Sequence, residues 1–91
     1  MKKIIWKEYI EHKMDGYCLV IPLDNGVPNI SQVLYLEGTA LEIWYSLHQN
    51  EIQETKELLD KKYNAKEEIE KDVDNLILEF QKYKVLEVIN E

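Results

Sequence analysis

The apolar positions of the first forty residues follow patterns typical of β-strands, namely a period of two in two segments and a continuous run between them. Residues 9–14 alternate in this way, and Asp15-Gly16 then supplies a hairpin turn. The continuous apolar run 17–21 predicts a central strand that ends at Pro22. After a loop of turn residues over 24–30, residues 31–36 alternate again. The pattern therefore predicts an antiparallel sheet of three strands, over 9–14, 17–22 and 31–36.

From residue 39 onward the apolar positions follow the 3.6-residue period of an α-helix. Thr39, followed three residues later by Glu42, predicts a capping box at the start of helix one, which should end near Asn50. The expected buried stripe of this helix consists of Ala40, Ile43, Trp44 and Leu47. Trp44 should be largely buried against Ile43, Leu47 and residues of helix three such as Val73 and Ile77.

Two further helices are predicted. The inward set of helix two is Ile52, Thr55, Leu58, Leu59 and Tyr63, and Asn64 should end it in the left-handed conformation. Helix three covers about 66–83, with Ile69, Val73, Leu76, Ile77 and Phe80 buried. The alternating tail 85–89 allows a short extra strand. Three strands followed by three helices predict a winged-helix-like α+β fold.

Size and composition limit the architecture. The 91 residues, 45% of them hydrophobic, suit one small domain over 1–91, because a chain of this length has no room for a second core. The single cysteine, Cys18, cannot form an internal disulfide. Neither a signal-peptide stretch nor a run of about 18 apolar residues is found. We expect a cytoplasmic protein.

Charge bears on the partners. Acids exceed bases by seven, and all eleven bases are lysine. A chain without arginine lacks the planar fork that contacts phosphate and guanine, so nucleic acid is an unfavourable ligand. The negative field favours a neutral or basic peptide, although a net charge of this size also serves solubility.

Residues that could carry catalysis are few. His12 and His48 fall on different predicted elements and outside any zinc-binding spacing. Cys18 lies within an apolar strand, which predicts a buried and inert thiol. No glycine-rich loop precedes a helix. We therefore expect neither an enzyme nor a cofactor.

The third predicted strand has no lysine or proline over 32–36 to block pairing with another strand. Such an edge is either covered by the protein or open to a partner. The outward residues of helix three, namely Glu67, Glu70, Lys71, Asp74, Asn75, Leu78 and Lys82, are too acidic for a helix that enters a DNA groove.

Several short motifs along the chain match the sequence pattern of a known protein family. They comprise Leu36, Thr39, Ala40, Ile43, Trp44, Tyr63, Asp72, Val73 and Val85-Leu86. At these positions the chain resembles the PqqD-like family, the peptide-recognition domains that bind leader segments of ribosomally made, modified peptides. Two departures are Thr55, where that family usually has an apolar residue, and Lys84, where it commonly has glycine.

The resemblance implies a function and a site. In this family the leader adds antiparallel to the third strand and lies against the third helix. A separately encoded enzyme, such as a radical-SAM protein, a cyclase or a peptidase, then modifies the precursor. Carried over, the resemblance assigns the strand wall to Gln32, Val33, Leu34, Tyr35 and Leu36. It assigns the helix wall to Asp72, Asn75, Leu76 and Glu79. The alternative is a winged-helix regulator or scaffold subunit that binds protein or nucleic acid through helix three.

Overall fold

A computed structural model describes residues 2–90 and shows an α+β fold with antiparallel sheets and three helices. The strands are β1 Lys2–Trp6, β2 Tyr9–Met14, β3 Tyr17–Asp24, β4 Val27–Pro28, β5 Leu34–Glu37 and β6 Leu86–Asn90. The helices are α1 Gly38–Gln49, α2 Ile52–Tyr63 and α3 Lys66–Lys82. The predicted change of period at the start of helix one is confirmed.

The prediction of three strands is wrong in number. β2, β3, β4 and β5 form a four-stranded sheet in which β3 is central, and β1 pairs with β6 in a separate two-stranded sheet. In that small sheet Trp6 lies opposite Leu86. The extra strand in the tail is confirmed, whereas β1 was not predicted. Its partner lies about eighty residues away along the chain, so no local pattern could indicate the pairing.

The third predicted strand begins later than expected. Ile30–Gln32 form one turn of 3-10 helix, because the side chain of Asn29 accepts a hydrogen bond from the backbone N–H of Ser31 at 3.3 Å. Gln32 and Val33 therefore precede β5, although Val33 already has an extended backbone. β3 also continues past Pro22 to Asp24, where β4 pairs with it.

Helix α1 packs on one face of the four-stranded sheet, and α3 packs on α1 and on β6. Trp44 of α1 is fully buried, as predicted. Its indole ring meets Trp6 and Phe80 edge-to-face at centroid distances of 5.3 and 5.2 Å. The indole Nε1–H donates to Glu11 of β2 at 2.6 Å. This bond gives the buried indole a partner and joins α1 to the sheet.

The helix ends differ from their predictions in one case. The capping box at Thr39 is wrong, since α1 begins at Gly38 and has no side-chain cap. Glu42 instead accepts hydrogen bonds from Lys62 and from the Tyr63 hydroxyl, and so joins α1 to α2. The left-handed stop at Asn64 is confirmed, with φ 51° and ψ 47°.

Thr55, the polar departure in helix two, is fully buried. Its hydroxyl lies 3.0 Å from that of Ser46 in α1, so both groups are hydrogen-bonded. None of the described helices is long and apolar enough to cross a membrane.

Candidate functional site

The hydrogen bonds of β3 show which way each of its residues faces. The N–H of Leu23 donates to Glu8, beside β2, while the carbonyl of Pro22 accepts from Asn29 on the other side. Backbone groups alternate in direction along a strand, so the even-numbered residues of β3 face away from β2.

The same alternation fixes the direction of β5. Cys18 lies opposite Leu36, and Val20 opposite Leu34. Since Cys18 and Val20 face β5, these are the hydrogen-bonded pairs, and Leu34 and Leu36 direct their backbone groups toward β3. The N–H and C=O of Tyr35 therefore point outward.

The outer edge of β5 is open. Within residues 2–90 β5 pairs with β3 and with no other strand. Val33 is extended and two residues from Tyr35, so its backbone groups point to the same side. The edge thus offers the backbone groups of Val33 and Tyr35 to an incoming strand.

A cleft of about 210 Å³ adjoins this edge, between the first turn of α1 and the middle of α3. Its lining consists of Thr39, Ala40, Ile43, Asp72, Asn75, Leu76 and Glu79. All four residues that the family resemblance assigned to the helix wall are included. Thr39 and Ala40 follow β5 almost directly, which brings the cleft beside the strand.

The cleft has an apolar floor and an acidic rim. Ile43 is buried at the bottom, Ala40 and Leu76 are half-buried, and the side chains of Asp72 and Glu79 are exposed. Neither carboxylate takes part in an ion pair within the described residues. A carboxylate elsewhere on α3, Asp74, does pair with Lys56 at 2.8 Å.

The predicted strand wall is only partly in place. The side chains of Leu34 and Leu36 are buried in the core, and Gln32 lies in the 3-10 turn. Tyr35 stands at the edge, where its ring stacks on Tyr17 at 5.1 Å and its hydroxyl donates to Glu37 at 3.1 Å. That hydrogen bond raises the pKa of Tyr35.

Sequence reasoning missed the contribution of α1 to the cleft. Thr39, Ala40 and Ile43 lie on the lining, yet the helical stripe indicated only that Ala40 and Ile43 would be buried. Core residues and cleft residues of α1 share the same helical spacing, so the sequence pattern alone could not distinguish a core position from a cleft position.

The side chains of His48 and Cys18 lie outside the cleft and make contacts within the fold. The ring of His48 stacks on Trp6 at 3.7 Å; its Nδ1 donates to the carbonyl of Trp44 at 2.7 Å. Its Nε2 lies 2.6 Å from the Tyr9 hydroxyl. Burial and the nearby Glu11 raise the pKa of Cys18 to about 11, so the thiol stays protonated at neutral pH. No cluster that could hold a metal is found within residues 2–90.

Comparison with known proteins adds no relative: no family model, curated protein or solved structure matches the chain.

Proposed function

We propose that the protein binds an extended peptide by strand addition to the outer edge of β5. The observation that carries this proposal is the coincidence of two features. The backbone groups of Tyr35 point outward from an unpaired edge, and an apolar cleft with acidic rim lies beside that edge. Strand addition uses such an edge for affinity and side-chain pockets for specificity.

The edges of the other strands support the choice of β5. β1 carries Lys2 and Lys3, and β2 carries Lys13, whereas the one charged residue of β5 is Glu37 at its end. Lysine on an edge discourages pairing with foreign strands. The remaining edge strand of the four-stranded sheet, β4, has two residues, one of which is Pro28. Among the edges of that sheet, β5 is therefore the one that suits a partner strand.

The peptide that we propose is the leader segment of a ribosomally synthesised precursor, which the protein presents to a separate modifying enzyme. The support is the resemblance to the PqqD-like family and a winged-helix-like reading of the fold. In that family the leader occupies the same two walls. The unpaired carboxylates of Asp72 and Glu79 favour a leader with a lysine or arginine near the cleft.

Nucleic-acid binding through α3 has less support. The exposed positions of the helix include Glu67, Glu68, Asp72, Asp74 and Glu79. This acidic surface would repel phosphate, and the chain has no arginine to offset it.

Titration calorimetry with the synthetic leader of a precursor encoded beside this protein tests the proposal. Wild type should bind, and Tyr35→Pro should bind at least about tenfold more weakly, because proline removes the outward N–H. Tyr35→Ala is the matched control, since it removes the side chain but keeps the N–H and should lose much less affinity. Circular dichroism checks that both variants fold.

The acidic rim gives a second readout in the same assay. Asp72→Asn should weaken binding of a basic leader, and the loss should shrink as salt rises, because salt screens exposed charges. No heat from wild type at tens of micromolar would contradict the proposal, as would full affinity in a folded Tyr35→Pro variant.

A further inference from the structure

The face of the sheet that looks away from the helices is unusually apolar. On β3 the inward residues Cys18 and Val20 belong to the core, and the alternate residues project outward. Together with their neighbours on β2 and β5, the outward residues form a surface that we call the outer face. It consists of Ile10, His12, Met14, Tyr17, Leu19, Ile21 and Tyr35.

The register makes these side chains contiguous. Ile10 lies opposite Ile21, and Leu19 lies between His12 and Tyr35 in one row across three strands. Cross-strand neighbours on one face of a sheet are in contact distance. The outer face is therefore a single patch.

No described element covers the patch. Ile10, Met14 and Tyr35 keep 42%, 45% and 55% of their surface exposed, and no residue of the outer face is packed against the core. Contiguous apolar patches of this kind on a small protein mark interaction sites more often than scattered apolar residues do.

Acids predominate along the border of the outer face, although Lys7 and Lys84 lie near Glu8 and Asp24 at one end of it. Exposed acids stand at the strand ends around it: Glu8 before β2, Asp15 in the hairpin, Asp24 at the end of β3 and Glu37 at the end of β5. The one lysine within residues 8–37, Lys13, points to the other side, with its Nζ 5.1 Å from the ring centre of Tyr45 in α1.

We propose that the outer face docks a second protein whose own contact surface is apolar and bordered by lysine or arginine. The acidic border favours that charge complement and disfavours a second copy of this chain, because two such faces would bring acids together. The occupant is thus a different protein.

The outer face is continuous with the proposed peptide site, since Tyr35 belongs to both. A strand added to β5 would place alternate side chains on the outer face beside Tyr35. Resting on the proposed function, we identify the docked protein as the enzyme that modifies the precursor. It would contact the domain and the bound leader together.

Binding measurements with the purified modifying enzyme encoded beside the precursor test this inference. Ile10→Glu and Met14→Glu should each weaken enzyme binding about tenfold or more, because each places an acid within the apolar contact. Leu78→Glu is the matched control, since Leu78 is 64% exposed on α3, and it should bind the enzyme as wild type does. Thermal melting checks the fold of all three.

Asp15 tests the contribution of the acidic border to enzyme binding. Asp15→Lys should weaken enzyme binding at low salt, and the difference from wild type should fade as salt rises. Neither this variant nor Met14→Glu should change affinity for the leader in a separate titration without enzyme. Suppose that wild type fails to bind the leader but binds the enzyme, and that Ile10→Glu weakens this enzyme binding. That result would overturn the peptide proposal and would still support the docking surface.

Three results would overturn the docking inference. They are the absence of enzyme binding to wild type at tens of micromolar, unchanged affinity in both folded glutamate variants of the outer face, and concentration-dependent dimerisation in sedimentation that Ile10→Glu abolishes. The last result would assign the patch to a second copy of the chain.

Discussion

At the scale of single residues, the contacts of Trp44 should contribute strongly to the stability of the fold. It is fully buried, meets Trp6 and Phe80 edge-to-face, and donates to Glu11. Trp44→Ala should lower the free energy of unfolding by about 3 to 5 kcal/mol, through lost contacts and a residual cavity. Urea denaturation followed by circular dichroism measures the change. An unchanged midpoint would mean that Trp44 does not hold the core together.

Lys84 adopts a left-handed backbone conformation, which is unfavourable for a residue other than glycine. Its φ is 62°, and the bonds from Val85 N–H to the Phe80 carbonyl and from Lys84 N–H to the Gln81 carbonyl form a Schellman motif. Helix α3 therefore has a sharp stop, with lysine at a position that glycine fits better.

Lys84→Gly should raise the free energy of unfolding by roughly 0.5 to 1 kcal/mol, because glycine adopts this conformation without the steric cost. Lys71→Gly, at an exposed position in the interior of α3, is the control and should lower it by about 1 kcal/mol. Chemical denaturation compares the two. Equal losses of unfolding free energy in the two glycine variants would contradict a steric cost at Lys84.

At the scale of elements, Glu42 links α1 to α2. The hydrogen bonds from Lys62 and then from Tyr63 lower the pKa of Glu42 below its ordinary 4.5. A carboxyl whose pKa is lower in the folded state adds stability above its unfolded pKa and loses it as pH falls through the folded value. Glu42 is partly exposed and its partner Lys62 is exposed, which makes this contribution small.

Wild type should consequently lose stability more steeply than Glu42→Gln as the pH falls below about 4.5. Denaturation midpoints of both proteins, measured from neutral pH into this range, provide the comparison. Parallel curves would show that the Glu42 contacts add nothing to stability.

The strand β2 illustrates what an alternating pattern can and cannot predict. Its alternation and its bounds were predicted, and the structure confirms both. The side turned toward the helices carries Tyr9 and Glu11, however, and the aliphatic Ile10 and Met14 are exposed. Hydropathy alone favours the opposite arrangement. The observed one depends on the hydrogen bond between Glu11 and Trp44, thirty-three residues apart, which no local pattern contains.

At the scale of the whole molecule, the elements with strong periodicity were predictable and their long-range pairing was not. The helices and the strands β2, β3 and β5 follow from local spacing, whereas β1 depends on β6 at the other end of the chain. The helix wall of the cleft was assigned through the family resemblance. The α1 contribution to the cleft and the direction of the Tyr35 backbone required the register of the sheet.

Strand addition to β5 is the central claim, and amide hydrogen exchange of single residues tests it most directly. Leu34 and Leu36 donate to β3, so their amides should exchange slowly with or without peptide, while the outward amide of Tyr35 should exchange fast in the free protein. Nuclear magnetic resonance with saturating leader should show the exchange of Tyr35 slowed by about tenfold or more, with little change at Leu34. Bound leader together with an unchanged, fast-exchanging Tyr35 amide would contradict the account.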